Sequence, residues 1–309
     1  MNIYHGIEDF KRLDYAVVTS GTFDGVHVGH QKILSRLKEI ARKNNGETVL
    51  ITFWPHPRLV LFPEQTDLKL LNTFEEKADL LREQGINHLL RIPFTKEFSK
   101  LTSEEFIRKI LVNTIGTKKL VIGYDHRFGK NREGSFEHLK ENSSVYGFDV
   151  EEISRQDIDH VGVSSTKIRT ALQEGDVTTS TELLGRPYSI SGRVVKGEKI
   201  GRILGFPTAN IEVDSQHKLI PADGSYAVKV HHRSQVLQGM LNIGFRPTVN
   251  GKTKTIEAHI FNFNEDIYGE TISIDFIKRI RDEIKFNDVE ELKKQLASDK
   301  SLAIKILNE

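Results

Sequence analysis

The residues best placed to do chemistry begin in GTFDGVHVGH, Gly21–His30, where two histidines three apart share a stretch with one aspartate and three glycines. A glycine-rich turn leading into a helix exposes unpaired backbone N–H groups at the positive end of the helix dipole. That makes an anion site, and phosphate is the commonest anion. Gly21, Gly25 and Gly29 let the backbone approach a ligand closely, and the spacing lets His27 and His30 project toward the same phosphates. Two blander readings stay open on these residues alone. The histidines can be incidental to a glycine turn, or they can be two ligands of a zinc ion whose next candidate ligand, His56, lies in another loop.

Other stretches carry weaker signals. Ser164, Ser165 and Thr166 in SSTKIR place hydroxyls at a helix start, which suits an ordinary N-cap or a second anion site; Arg169, one helical turn on, favours phosphate. In TFWPHP (52–57) two prolines flank His56 and stiffen the loop, while Phe53 and Trp54 fit a core-packed turn equally well. Asp125 and Arg127 in GYDHRFG (123–129) are polar residues beyond a strand end. In the second half, Glu257 sits on an alternating strand, where a charged residue usually faces solvent, and FPTANI (206–211) reads as a proline-led turn into a strand. Gly197, Gly201 and Gly205 flank that turn, and Arg279 and Arg281 fit surface charge or ligand contact. Gly251–Thr253 (GKT) imitates the end of a Walker A loop. Arg246 stands where that motif needs its first glycine, so the segment is expected to be a turn between strands.

The elements that position these residues fall into two rhythms. In the first half, candidate strands at 15–20, 48–53, 86–92 and 119–124 alternate with helical patterns. In 31–41, Ile33, Leu34, Leu37, Ile40 and Ala41 share one helix face, and Thr73 with Glu76 and Thr102 with Glu105 spell capping boxes. Repeated strand–helix–strand units imply a parallel sheet covered by helices, with ligands beyond the carboxyl ends of the strands. After about residue 186, short strands separated by glycine-rich turns imply an antiparallel barrel or sandwich, and the chain closes with two helical patterns. LLGRPY (183–188) marks the expected boundary, giving domains at 1–185 and 186–309.

Composition narrows the classes. The chain has 309 residues, a formal net charge of +1 and no cysteine. A basic face for nucleic acid is disfavoured, and disulfides, thiolate nucleophiles and cysteine–zinc sites are excluded. The polar N-terminus holds no signal-peptide core, and no apolar run approaches the roughly 20 residues that span a bilayer, so a cytoplasmic, membrane-free protein is expected. Oligomeric state is left open.

Taken together, G-T-F-D-G-x-H-x-G-H resembles the flavin-specific form of the nucleotidyltransferase signature. TFWPHP, GYDHRFGKNREG (123–134) and VSSTKIRTALQEGDV (163–177) follow in the same order, then GRILGFPTANI (201–211), NIGFRPT (242–248) and IEAHIFNFNEDIYGE (256–270). The whole chain is thus similar to the bifunctional prokaryotic riboflavin kinase/FMN adenylyltransferase (FAD synthetase) family. The resemblance implies a Rossmann-like nucleotidyltransferase domain followed by a β-barrel flavokinase domain, with riboflavin, FMN and ATP as small-molecule substrates, FAD as product, and Mg2+ as cofactor. It places ATP on Gly21, Thr22, Phe23, His27, His30, Ser164, Ser165, Thr166 and Arg169, and the flavin beside Phe53, His56, Asp125 and Arg127. His126 replaces the phenylalanine common in that motif. In the second domain it implies Glu257 as catalytic carboxylate, Thr208 and Asn210 as magnesium ligands, and Gly197, Gly201, Gly205 and Arg281 around ATP and flavin.

Overall fold

The computed structural model describes the chain from residue 1 to 309 apart from 65–66, 125–126, 131–132, 155–161, 198–199 and 249–250. It divides into two compact units, Met1–Ser164 and Ser165–Glu309.

The first unit is a parallel sheet of β1 (Asn2–Tyr4), β2 (Ala16–Ser20), β3 (Glu47–Trp54), β4 (His88–Pro93), β5 (Thr117–Gly123) and β6 (Asp149–Ile153), in the order β1-β4-β3-β2-β5-β6. Helices α1 (Val28–Lys43), α2 (Pro57–Leu61), α3 (Phe74–Glu83) and α4 (Ser103–Phe106) lie among the connections, α4 continuing as a π-helix over Ile107–Ile115. Side chains alternate along the strands, so Val18, Ile51, Leu90 and Ile122 pack with Phe106 and Ile110 on one face, while Val17, Leu50, Leu89 and Val121 pack with Leu34, Leu37 and Leu81 on the other. Central strands buried on both faces explain the uninterrupted apolar runs at 16–18 and 49–51. Both expected capping boxes form, at Thr73–Glu76 and Thr102–Glu105.

β2 is joined to β3 on one side and to β5 on the other. The chain fills β3 and β4 before returning to β5, so the order reverses beside β2. In such sheets that point is where a crevice opens beyond the carboxyl ends. The turn 21–27 leaves β2 there.

The second unit begins with α5 (Ser165–Glu174) and α6 (Val177–Leu184), which ends at Gly185 in the left-handed region. A closed antiparallel barrel follows, built from β7 (Tyr188–Val195), β8 (Ala209–Glu212), β9 (Gly224–His232), β10 (Gln235–Thr248), β11 (Gly251–Ile260) and β12 (Thr271–Arg281) in the order β10-β11-β8-β7-β12-β9. Gly251–Thr253 belongs to β11 and pairs with β10, rather than forming the turn that the sequence suggests. The two helical patterns at the C-terminus are one helix, α7 (Val289–Leu307), held to the barrel by Ala303 against Ala227, Met240 and Phe261.

Candidate active sites

The first site grows from the turn after β2. Gly21 N–H still donates to the Ile51 carbonyl (3.0 Å), so the strand ladder continues to the turn's first residue. The chain then passes through the left-handed region at Phe23 (φ 46°), Gly25 (φ 89°) and Val26 (φ 41°). Gly25 is made for that conformation; Phe23 and β-branched Val26 are strained by about 1–3 kcal/mol each, and persist only where the surroundings over-determine them. Here they do. Phe23 and Val26 are buried in the α1-side core. Asp24, 2% exposed, accepts from the N–H groups of Leu71 (3.0 Å) and Asn72 (3.3 Å).

The turn delivers His27 as the N-cap of α1. Its Nδ1 accepts from the His30 N–H (3.3 Å), which leaves Nε2 to carry the ring proton. The two rings stack with centroids 3.6 Å apart, and Phe23 backs His30 at 4.7 Å. Both histidines therefore sit together at the open end of a 16-residue helix, where first-turn N–H groups favour an anion.

Among the other expected contacts, His56 N-caps α2, its Nδ1 accepting from Arg58 N–H (3.2 Å). Phe53 packs among Phe94, Phe98 and Phe106, and Trp54 against Phe74, so both serve the core at the carboxyl end of β3. Arg127 follows β5 and lies 3.8 Å from Glu137; Asp125 and His126 lie outside the described residues. Ser165, Thr166 and Arg169 occupy the first turns of α5, with Ser164 immediately before it. Within the second unit, the carboxyl end of α5 is tied to the barrel by Ala222 N–H donating to Leu172 O (2.9 Å) and Arg279 Nη1 donating to Glu174 O (3.2 Å).

Sequence reasoning missed Lys77. It lies on the buried stripe of α3 with Phe74, Ala78 and Leu81, and is 2% exposed. Its Nζ donates to the Thr22 carbonyl (2.8 Å) and to Thr52 Oγ1 (3.3 Å), 5.2 Å from the centre of the Trp54 ring. Burial pushes its pKa down to about 8, against the pull of Asp24. A lysine on an apolar helix stripe was the available signal.

The second site forms where β8 meets β11. Glu257 pairs with Asn210 across the ladder, and Thr208 Oγ1 donates to Glu257 Oε2 at 3.2 Å. Gly197 lies against the same group: a Cβ there would overlap the Asn210 amide, 2.7 Å from its Cγ. A Cβ on Gly201 would strike the Phe206 carbonyl, and Gly205 takes φ 83°. His259, two residues beyond Glu257 on the same strand face, donates from Nδ1 to Pro207 O at 2.8 Å and so steadies the turn. Burial holds its pKa below the usual histidine value, Lys300 adding to the effect against the Pro207 carbonyl. A cavity of about 140 Å³ opens beside Thr208, lined also by Arg202, Asn264 and Asp266. Arg281 meets α7: its guanidinium binds Asp299, 2% exposed, at 2.8 to 3.1 Å.

Residues 9–167 match the family model for FAD synthetase and residues 184–307 the model for riboflavin kinase. The chain belongs to the bifunctional riboflavin kinase/FMN adenylyltransferase family. Proteins so named are similar along their whole length: 41% identical in Buchnera aphidicola subsp. Schizaphis graminum, over 100% of this chain and 99% of the relative, and 36% in Haemophilus influenzae, over 100% of both. The Escherichia coli K12 protein of that name is 38% identical over 98% and 97%. A solved structure described as a macrolide-efflux protein from Streptococcus pneumoniae shares the fold with a TM-score of 0.87, at 32% identity over 97% of each chain. Among the described residues of this family member, no helix is long and apolar enough to cross a membrane.

Proposed function

We propose that the chain makes FAD from riboflavin in two steps, each on its own constellation of residues. Phosphorylation of riboflavin to FMN belongs to the barrel, and adenylylation of FMN to the parallel sheet. The observation that carries this reading is the gathering of Thr208, Asn210 and Glu257 at one seam of the barrel, in a chain that separately presents two stacked histidines on a helix start. We assign residues 1–185 to the adenylyltransferase and 186–309 to the kinase, which keeps α5 and α6 with the first activity although they count with the barrel by contact.

In the kinase step, the Glu257 carboxylate takes the proton of the ribityl 5′-hydroxyl as its oxygen attacks the γ-phosphorus of ATP, and ADP leaves with the cleaved β–γ bridging oxygen. The Thr208 hydroxyl orients that carboxylate. Thr208 and Asn210 offer neutral oxygens beside it, a hard donor set that fits Mg2+, which holds few protein ligands and keeps substrate phosphate and water. Bound there, the ion would offset phosphate charge. Gly197 and Gly201, bare of Cβ, let their backbones pack against the Asn210 amide and the Phe206 carbonyl beside that donor set.

In the adenylyl transfer, an FMN phosphate oxygen attacks the α-phosphorus of ATP and pyrophosphate leaves, with no covalent enzyme intermediate. His27, His30 and the N–H groups of α1 hold the phosphates and stabilise the charge that passes to pyrophosphate. Gly21, Thr22 and Phe23 shape the turn for ATP, and Ser164, Ser165, Thr166 and Arg169 supply further donors. Phe53, His56, Asp125 and Arg127 are assigned to the flavin side. A cytoplasmic location fits the ATP and flavin substrates of this reading.

Purified protein given riboflavin, ATP and magnesium should accumulate FMN and then FAD on chromatography. Absence of both products over a range of metal concentrations and flavin redox states would overturn the reading.

A further inference from the structure

We propose that Lys77 is a positioning residue for adenylyl transfer, holding the turn 21–27 in the strained conformation that presents His27 and His30. The inference rests on the assignment of that turn to ATP phosphates.

A strained backbone needs fixed points. Phe23 and Val26 provide apolar ones, and Asp24 provides a polar one through the N–H groups of Leu71 and Asn72. All of these act on residues 23–26. The entrance to the turn, the Thr22 carbonyl, is held by Lys77, whose buried ammonium reaches it at 2.8 Å from α3. Thr52 Oγ1 on β3 lies 3.4 Å from the same carbonyl and 3.3 Å from Lys77 Nζ, so three elements meet at one peptide group. A charge-assisted bond in a site shut off from water is far stiffer than a neutral one on the surface.

A merely structural role would be met at lower cost by an apolar residue. Burying an ammonium is expensive, and the stripe Phe74, Ala78 and Leu81 would accept methionine at position 77. Among the described residues the charge that acts on Lys77 is Asp24 of the turn; from β3 it faces the Thr52 hydroxyl and the Trp54 ring. Asp24 and Lys77 therefore brace the turn from both sides. With its pKa pushed down to about 8, the amine loses its charge just above neutral pH, and with it both the attraction of Asp24 and the charge assistance to Thr22.

The test supplies FMN and follows FAD formation from pH 6.5 to 9.5, with FMN formation from riboflavin as the control in the same protein. Wild type should lose FAD formation several-fold through about pH 8 relative to the kinase step. Lys77→Met should lower kcat for FAD formation by about 10- to 100-fold at pH 7.5, lose that pH step and leave the kinase within about twofold. Lys77→Arg, charged throughout, should recover part of the loss and show no fall at pH 8. If Lys77→Met matches wild type while His30→Ala abolishes FAD formation, Lys77 only packs. If His30→Ala itself is fully active, the assignment of the turn fails instead. Should Lys77→Met not fold, a wild-type FAD profile flat across pH 8 relative to the kinase would alone overturn the proposal.

Discussion

The Thr208 hydroxyl donates to the Glu257 carboxylate at 3.2 Å, joining the turn before β8 to the strand β11 that faces it. Glu257→Gln should cut FMN formation by about 10²- to 10⁴-fold, because no base remains for the hydroxyl proton. Thr208→Ala should cost less, about tenfold or more. Both variants should convert supplied FMN to FAD at the wild-type rate, as read by chromatography of the two flavins.

The stacked pair His27 and His30 makes the reverse prediction. His30→Ala should lower FAD formation from FMN by about 100-fold or more while FMN formation continues. Circular dichroism of the variant should match wild type, since the ring lies at a helix start and not in the sheet core.

Gly197 offers a test by bulk alone. Gly197→Ala places a methyl group against the Asn210 amide, so kinase activity should fall at least tenfold with almost no change in thermal midpoint. A variant as active as wild type would show that Asn210 can move away without consequence.

Arg281 is bound to buried Asp299, so Arg281→Met leaves a carboxylate 2% exposed without its counter-charge, the Gln295 amide being its remaining donor. Loss of about 3–5 kcal/mol of barrel stability is expected, measured by urea unfolding, with little change in KM for riboflavin. A raised flavin KM at unchanged stability would instead make Arg281 a flavin contact.

Lys77 also links pH to stability. Its pKa falls from 10.5 unfolded to about 8 folded, so between these values the unfolded chain binds more protons and stability rises with pH. The difference in unfolding free energy, wild type minus Lys77→Met, should therefore grow from pH 8 to 10.5, by up to about 3 kcal/mol. Trp54, the single tryptophan, stands beside Lys77 and reports the first unit's unfolding by fluorescence.

Much of this was legible in the residues. The apolar runs of β2 and β3 and the two capping boxes depend on local pattern, and they fold where the pattern says. The turn's glycines point to an anion site, but nothing in the letters marks Phe23 and Val26 as left-handed. β1 is three residues paired in parallel with β4, more than 80 positions away, so no local signal exists for it. The letters give Asp24 no role, because its partners, Leu71 and Asn72, are backbone groups of a distant loop. Lys77 breaks the apolar stripe of its helix, a signal the sequence reading passes over.

The ladder between β8 and β11 runs through Glu257 with Asn210 and Ala258 with Ala209, whereas β10 and β11 pair from Gly239 to Thr248. The barrel is thus closed by its shortest seam, and the residues we assign to the kinase step sit on it. Local opening of the barrel should start there, and amide hydrogens along β8 should exchange before those of β9 and β10. Nucleotide bound across the seam, as we propose, would act as a clasp: it would fasten the barrel at the place where it otherwise comes undone, so that the empty enzyme breathes at its own active site and the occupied one does not.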